Sequence, residues 1–200
     1  MKVLLATSNR HKVSEILQIW GDVPFEILTL NDFPEFPPVV EDGHTFEANS
    51  LKKAREAARF SGLISVSDDS GIEVDALNGR PGVHSARFAG SGATDEDNNR
   101  KLLQELKTIP LDSPLRKARF RCVAALVSPR GDETIVNGVV EGRVIDSPRG
   151  SHGFGYDPLF FVPEKGKTTA EMTSIEKHAI SHRAKAFRKL KEILLQILQD

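Results

Sequence analysis

The sequence predicts a mixed α/β fold: an elongated mixed central sheet flanked by helices. Three observations carry that prediction. The first is an apolar run, Lys2-Val-Leu-Leu-Ala6, followed by polar residues and then apolar residues at helical spacing (Val13, Ile16, Leu17, Trp20), which is strand, loop and helix in sequence. The second is an alternating stretch over 117–128, a Pro129-Arg-Gly-Asp132 turn and a returning stretch over 133–145, which is a long hairpin. The third is a pair of longer helical patterns, 45–61 and 182–198. A chain with both strand–helix units and a hairpin is neither a purely parallel nor a purely antiparallel sheet protein.

The remaining elements follow in order. Residues 25–30 (FEILTL) form a second strand, and 32–44 are a loop, because Pro34, Pro37 and Pro38 stand among acids. Thr45 caps the helix over 45–61, Phe46, Leu51, Ala54 and Ala58 make its buried stripe, and Gly62 ends it. A strand over 63–67 runs into Asp68-Asp69-Ser70-Gly71. Residues 78–93, rich in Gly and holding Pro81, read as loop with a short strand. Thr94 followed by Asp95, Glu96 and Asp97 starts a helix that reaches about Lys107, since acids favour the positive end of the dipole. On the hairpin, Ala118, Phe120, Cys122, Ala124 and Leu126 share one face. Residues 148–157 are a Gly-rich loop, 158–162 a short buried strand, and the last helix buries Ala186 or Phe187, Leu190, Ile193 or Leu194, and Ile197.

Composition excludes several classes. The 200 residues carry 27 Lys+Arg against 28 Asp+Glu, a net charge of −1, so charge alone does not hold this chain to nucleic acid. Hydrophobic residues at 39% and charged residues at 28% describe a globular chain rather than a disordered one. No apolar run approaches the roughly 20 residues that cross a bilayer, and the N-terminal run is too short for a signal peptide. Cys122 is the single cysteine, so an intrachain disulfide is impossible. A cytoplasmic protein with no membrane partner and no nucleic-acid partner is expected.

Five segments carry chemistry. Thr7-Ser8-Asn9-Arg10-His11-Lys12 lies at a strand-to-helix junction, where unpaired N–H groups, short polar side chains and Lys12 suit a phosphate; an ordinary helix cap in a solvated basic turn gives the same pattern. Asp68-Asp69-Ser70-Gly71 puts two carboxylates at a strand end, suited to Mg²⁺, or is a turn closing a hairpin onto Ile72-Glu73-Val74. Asn49 and Lys53, at i and i+4, share a helix face just after Glu41, itself a candidate metal carboxylate. Gly150 to Asp157 encloses Phe154 and Tyr156 among three glycines, which suits stacking on a flat base or a hinge whose Phe packs inward. Lys177 to Lys191 holds six Lys/Arg and two His without an acid, which is either a solvated face or, at Ser181-His182-Arg183, a set of side chains aimed into a cleft.

Taken as an ordered set, these segments resemble the inosine triphosphate pyrophosphatases, which hydrolyse non-canonical purine nucleoside triphosphates to the monophosphate and pyrophosphate. The likeness rests on Thr7-Ser8-Asn9…Lys12, Phe46…Asn49…Lys53-Ala54-Arg55, Asp68-Asp69-Ser70-Gly71, Pro81-Gly82…Ser85-Ala86-Arg87-Phe88, Gly153-Phe154-Gly155-Tyr156-Asp157-Pro158 and Ser181-His182-Arg183, and spans nearly the whole chain. Ser8 stands where many members carry Gly. The resemblance implies a single domain over 1–200 with two lobes and an active-site cleft between them, and a homodimer. It implies that Thr7, Ser8, Asn9, Arg10, His11 and Lys12, with Lys53, hold the triphosphate of a purine nucleotide. Asp69 becomes the catalytic base or a ligand of the metal that activates water. Glu41 and Asp68, with Asp69, hold Mg²⁺, and Ser70 contacts the substrate. Phe154 stacks on the base, with Gly155 and Tyr156 in the same motif, while Asp157, Lys177, His182 and Arg183 read the base edge.

Base choice has a physical side. Hypoxanthine and xanthine present an acceptor at O6 where adenine presents an NH₂ donor, and Lys and Arg can only donate. Adenine therefore leaves buried donors unpaired, while guanine, which also has O6, is not rejected by this logic. The rival readings are a Maf-like nucleotide pyrophosphatase, which lacks the GFGYDP and SHR pair, a non-catalytic nucleotide-binding module, which has no need of three acids, and a nucleic-acid binder using the basic last helix.

Overall fold

The computed structural model describes residues 1–199. Its elements are β1 (Lys2–Leu5), α1 (Arg10–Trp20), β2 (Glu26–Thr29), α2 (Phe46–Ser61), β3 (Ile64–Val74), α3 (Asp95–Glu105), β4 (Lys117–Val127), β5 (Glu133–Val144), β6 (Phe160–Val162), β7 (Lys167–Thr168), α4 (Ser174–Ile180) and α5 (His182–Ile197). One seven-stranded sheet runs in the order β2-β1-β3-β4-β5-β6-β7. β1 pairs in parallel with β2 and β3, whereas β6 pairs antiparallel with β5 and β7, so the sheet is mixed as the sequence predicts.

The chain divides into two compact units. The first holds Met1–Asp69, Cys122–Gly138 and Arg183–Asp200. Its largest core gathers Val3, Leu5, Val66, Cys122, Ala124 and Leu126 from the strands with Ile16 and Trp20 of α1 and Phe187, Leu190 and Leu194 of α5. Trp20 keeps its indole N–H satisfied there by donating to the Phe187 carbonyl at 2.8 Å. Two smaller clusters form against α2: Ala54 and Ala58 meet Ala125 and Val127, and Ala57 meets Leu4 and Ala6. Small residues on α2 let the helix lie close to the sheet, which brings its polar side chains to the middle of β3, at Ser67, Asp68 and Asp69.

The second unit holds Ser70–Arg121 and Val139–His182. Ile72, Val74, Leu102, Leu106, Phe120, Val140, Val144, Tyr156, Leu159, Phe160 and Met172 form its core. Arg116, itself buried, donates from Nη2 to the Leu106 and Ile109 carbonyls and so satisfies the C-terminal end of α3.

Several expectations change. β3 does not stop at Asp68: it continues through Asp-Asp-Ser-Gly to Val74, so no turn interrupts it. Gly71 is what the passage needs, because a Cβ there would lie 2.2 Å from Ser85 Oγ and 2.5 Å from the Gly82 carbonyl oxygen. The short strand expected in 78–93 is a 3₁₀ helix, Gly82–Arg87, held by Asn98, which donates to the Ala86 carbonyl and accepts from Ala89 N–H. Leu17 and Ile197 are exposed rather than inside, the buried positions of their helices being taken by Ile16 and Trp20, and by Phe187, Leu190 and Leu194. On β4 the one-sided alternation ends at Cys122, beyond which both faces are buried through Val127. Helix α4 and strand β7, seven and two residues long, are too short to show a period in the sequence.

Candidate active site

The first unit assembles charge. Adjacent residues of a strand face opposite sides, and the partners of Asp68 and Asp69 show it. Asp68 is fully buried; its Oδ2 lies 3.0 Å from Lys12 Nζ of α1 and 3.4 Å from Arg183 Nη2 of α5. Arg183 is bracketed on its other side by Glu15, at 2.6 Å from Nη1. Burial opposes the Asp68 charge, but Lys12, Arg183 and Lys53 outweigh it and hold the carboxyl well below the usual range. Asp69 instead accepts from the Asn49 side-chain amide of α2 at 2.9 Å. Burial raises its pKa, against the lowering by Lys53, Lys12 and the Asn49 bond.

Helix α2 organises that face. Asn49 and Lys53 are both buried, one turn apart. Asn49 Oδ1 accepts from Gly43 N–H at 2.8 Å while its amide holds Asp69, so one side chain joins the 38–45 loop to the catalytic candidate. A Cβ at Gly43 would stand 2.6 Å from Asn49 Oδ1, which requires glycine. Lys53 Nζ donates to Glu41 Oε1 and to the Asp68 carbonyl, each at 2.7 Å. Burial works against its charge, but Asp68, Glu41 and Asp69 more than compensate, so the lysine stays protonated.

In the Thr7–Lys12 segment the helix-cap arrangement is present. Asn9 Oδ1 accepts from His11 N–H at 3.0 Å and Lys12 N–H at 3.1 Å. Ser8, Asn9, Arg10 and His11 are exposed and Thr7 and Lys12 half-buried.

The metal expectation, Glu41, Asp68 and Asp69, can be set against this geometry. Among the described residues no group of three or more metal-binding side chains comes together. Asp68 is turned toward Lys12 and Arg183, although its Oδ1 is buried without a hydrogen bond. Glu41 and Asp69 are both within reach of Lys53. Two carboxylates without an all-protein cage suit Mg²⁺, which is held by one or two carboxylates together with substrate phosphates.

The second unit assembles the aromatic loop. Asp157 is buried and organises it: Oδ2 accepts from Phe154 N–H at 2.9 Å and Lys177 Nζ at 2.6 Å, and Oδ1 from Thr169 Oγ1 at 2.7 Å. Gly153 has φ +78°, and a Cβ there would fall 2.0 Å from Asp157 Oδ2. Phe154 is half-exposed, with Lys177 Nζ 5.3 Å from its ring centroid. Tyr156 points into the core and donates to the Ser85 carbonyl at 2.8 Å; burial, then Asp95, raise its pKa. His182 is buried and stacks on Phe120, ring centroids 4.9 Å apart at 16°. Ser70, half-buried on β3, is the first residue of this unit, and Gly155 lies in the loop beside Phe154.

The sequence reading missed Glu15, Asp95 and Asn99. Glu15 anchors Arg183, and Asp95 and Asn99 both bond to Gly155. A signal was present: Asn98-Asn99 inside a helix is a poor helical choice unless the side chains are used elsewhere.

Comparison with known proteins follows the same lines. The sequence model described as the Ham1 family matches residues 3–193. A dITP/XTP pyrophosphatase of Geobacter sulfurreducens is 52% identical over 193 residues, covering 96% of each chain. One of Clostridium perfringens is 50% identical over 204 residues and 99% of each. Among solved structures, a HAM1 protein from Coxiella burnetii superposes with TM-score 0.89 at 39% identity, covering 98% of this chain and 99% of its own. The Staphylococcus aureus Ham1 protein gives 0.86 at 36%, with the same coverage.

Proposed function

The chain belongs to the Ham1 family, and from that premise we propose that it hydrolyses non-canonical purine nucleoside triphosphates, ITP, dITP and XTP, to the monophosphate and pyrophosphate. The observation that carries the mechanism is Asp69: a buried carboxylate of raised pKa, fixed by Asn49.

A triphosphate brings about four negative charges. Lys12 and Lys53, both close to the acids of β3, neutralise them together with Thr7, Ser8, Asn9, Arg10 and His11. Asp69 takes the proton of the attacking water; raised basicity suits that work. The water oxygen bonds to the α-phosphorus, the α–β bridging bond breaks, and pyrophosphate leaves as one unit. Glu41 and Asp69 would hold Mg²⁺, which supplies Lewis-acid neutralisation of the phosphate oxygens. Asp68 serves by holding Lys12 and Arg183. Ser70 contacts the substrate. Phe154, in the Gly155-Tyr156-Asp157 turn, stacks on the base, while Lys177, set by Asp157, reads its edge with His182 and Arg183. Donors meeting O6 select against adenine. Residues 1–200 act as a single catalytic domain in this reading.

The surroundings belong to the same proposal. A homodimer is part of this reading, and Ile135 is an exposed large apolar residue on the hairpin. A cytoplasmic setting, with no membrane or nucleic-acid partner, is part of this reading; no described helix is long and apolar enough to cross a membrane.

The test is hydrolysis of ITP in ¹⁸O-labelled water with Mg²⁺. Label in the monophosphate and none in pyrophosphate supports attack at the α-phosphorus; label in pyrophosphate or orthophosphate refutes it. Chelation with EDTA is expected to stop the reaction.

A further inference from the structure

A glycine between two functional residues is a source of disorder. Gly155 follows the half-exposed Phe154 and precedes the buried Tyr156, and its φ is +63°. Glycine has more backbone freedom than any other residue, so an unrestrained Gly155 would let the Phe154 side of the turn swing. Tyr156 is fixed by its hydroxyl on Ser85, and Phe154 N–H is fixed by Asp157. The joint between them needs its own restraint.

Helix α3 supplies it. Asp95 and Asn99 stand at i and i+4, on one face. Asp95 Oδ2 accepts from Gly155 N–H at 2.6 Å, and Asn99 Nδ2 donates to the Gly155 carbonyl at 2.9 Å. The N–H lies in the peptide plane before the Gly155 Cα and the carbonyl in the plane after it. Holding both planes sets φ and ψ together. The helix is itself well anchored: Thr94 and Asp97 form a reciprocal cap at its start, Asn98 grips the neighbouring 3₁₀ helix, and Leu102 and Leu106 are buried in the core. Asp95 sits in the first turn, where a carboxylate is favoured.

We propose that Asp95 and Asn99 are positioning residues that clamp Gly155 and hold the Phe154 ring in place for a purine base. The inference rests on the base-stacking role given to Phe154 above. A ring already in place spares the substrate the cost of ordering the loop, so the clamp acts on nucleotide affinity and not on the phosphate chemistry of the other unit.

The test compares calorimetric affinities, in EDTA to suppress turnover, for ITP and for inorganic tripolyphosphate, which lacks a base. Asp95→Ala and Asn99→Ala are each expected to weaken ITP about tenfold, the loss of one hydrogen bond to a charged or ordering partner, with tripolyphosphate unchanged. Asp95→Asn keeps an acceptor oxygen and should recover most of the affinity. Asn99→Asp sets a carboxylate against the Gly155 carbonyl and should be worse than Asn99→Ala. The double alanine variant should cost little more than either single one, because both act through one residue. Equal weakening of both ligands, or no weakening of ITP, overturns the clamp. The wild-type arm judges the functional reading separately. A wild type that binds ITP no tighter than tripolyphosphate sinks the stacking role and the clamp together. A wild type that prefers ITP, with Asp95→Ala keeping that preference, sinks the clamp alone.

Discussion

Replacing Asp68 exposes how the first unit carries its charge. The carboxylate is fully buried, with Lys12 Nζ at 3.0 Å and Arg183 Nη2 at 3.4 Å from the same oxygen. At an effective dielectric of about 20, each such pair is worth about 5 kcal/mol of gross attraction. Desolvation removes much of that, and stripping one partner from a buried pair costs about 3–5 kcal/mol in measured proteins. Two features place Asp68→Ala near the lower end. The Lys12 side chain is 13% exposed and can relax toward water, and Arg183 keeps Glu15 at 2.6 Å. Asp68→Asn retains the shape and an acceptor, and since a charge-assisted bond is roughly twice a neutral one, about half the loss is expected. Urea unfolding of metal-free protein, with m unchanged, reads both. The KM for the triphosphate should rise as well, because Lys12 loses its anchor. A metal ligand would behave differently: the variants would unfold like wild type without metal and merely need more Mg²⁺. Metal-free stabilities within about 0.5 kcal/mol of wild type would mean that Asp68 does not hold Lys12 and Arg183.

Other outcomes follow from the same geometry. Asp69→Asn should lower kcat on the order of 10²–10⁴-fold while leaving the melting temperature near wild type, since the Asn49 amide still finds an oxygen; retained turnover removes the base. Phe154→Ala should raise the KM for ITP about tenfold, from a stacking contribution of about 1–3 kcal/mol, and leave inhibition by tripolyphosphate unchanged. Asp97 caps α3, and its pKa is lowered by the Thr94 side-chain and backbone bonds. Its stabilisation is therefore present above the ordinary carboxylate pKa of about 4 and fades as the pH falls through the lowered value. The Tm gap between wild type and Asp97→Asn should shrink from pH 6 to pH 3; a constant gap contradicts that cap.

How much of this was legible beforehand depended on what each signal reports. Periodicity found the helices at 10–20, 46–61 and 182–197, because each buries one side along many residues, and the first hairpin strand, because β4 alternates as far as Cys122. It misplaced Leu17 and Ile197, since a stripe at helical spacing does not say where the covering layer ends. Asp-Ser-Gly reads locally as a turn, but β3 lies between β1 and β4, and the ladder carries the strand through. Motif order located Asp69, Lys53 and Phe154 without their partners. That Asn49 ties Gly43 to Asp69, that Glu15 holds Arg183 and that Asp95 and Asn99 grip Gly155 are contacts between residues 6 to 168 positions apart. A local reading has no access to such pairs. The opposite facing of Asp68 and Asp69 was predictable from strand geometry alone; which of them turned to the lysine and arginine of α1 and α5 was not.

The most direct test of the central claim is a product assay on ITP, XTP, dITP, GTP, ATP and a pyrimidine triphosphate, each with Mg²⁺, resolving pyrophosphate from orthophosphate. Pyrophosphate is expected, released chiefly from ITP, dITP and XTP. Orthophosphate from every substrate alike would contradict both the site of attack and the reading of the base.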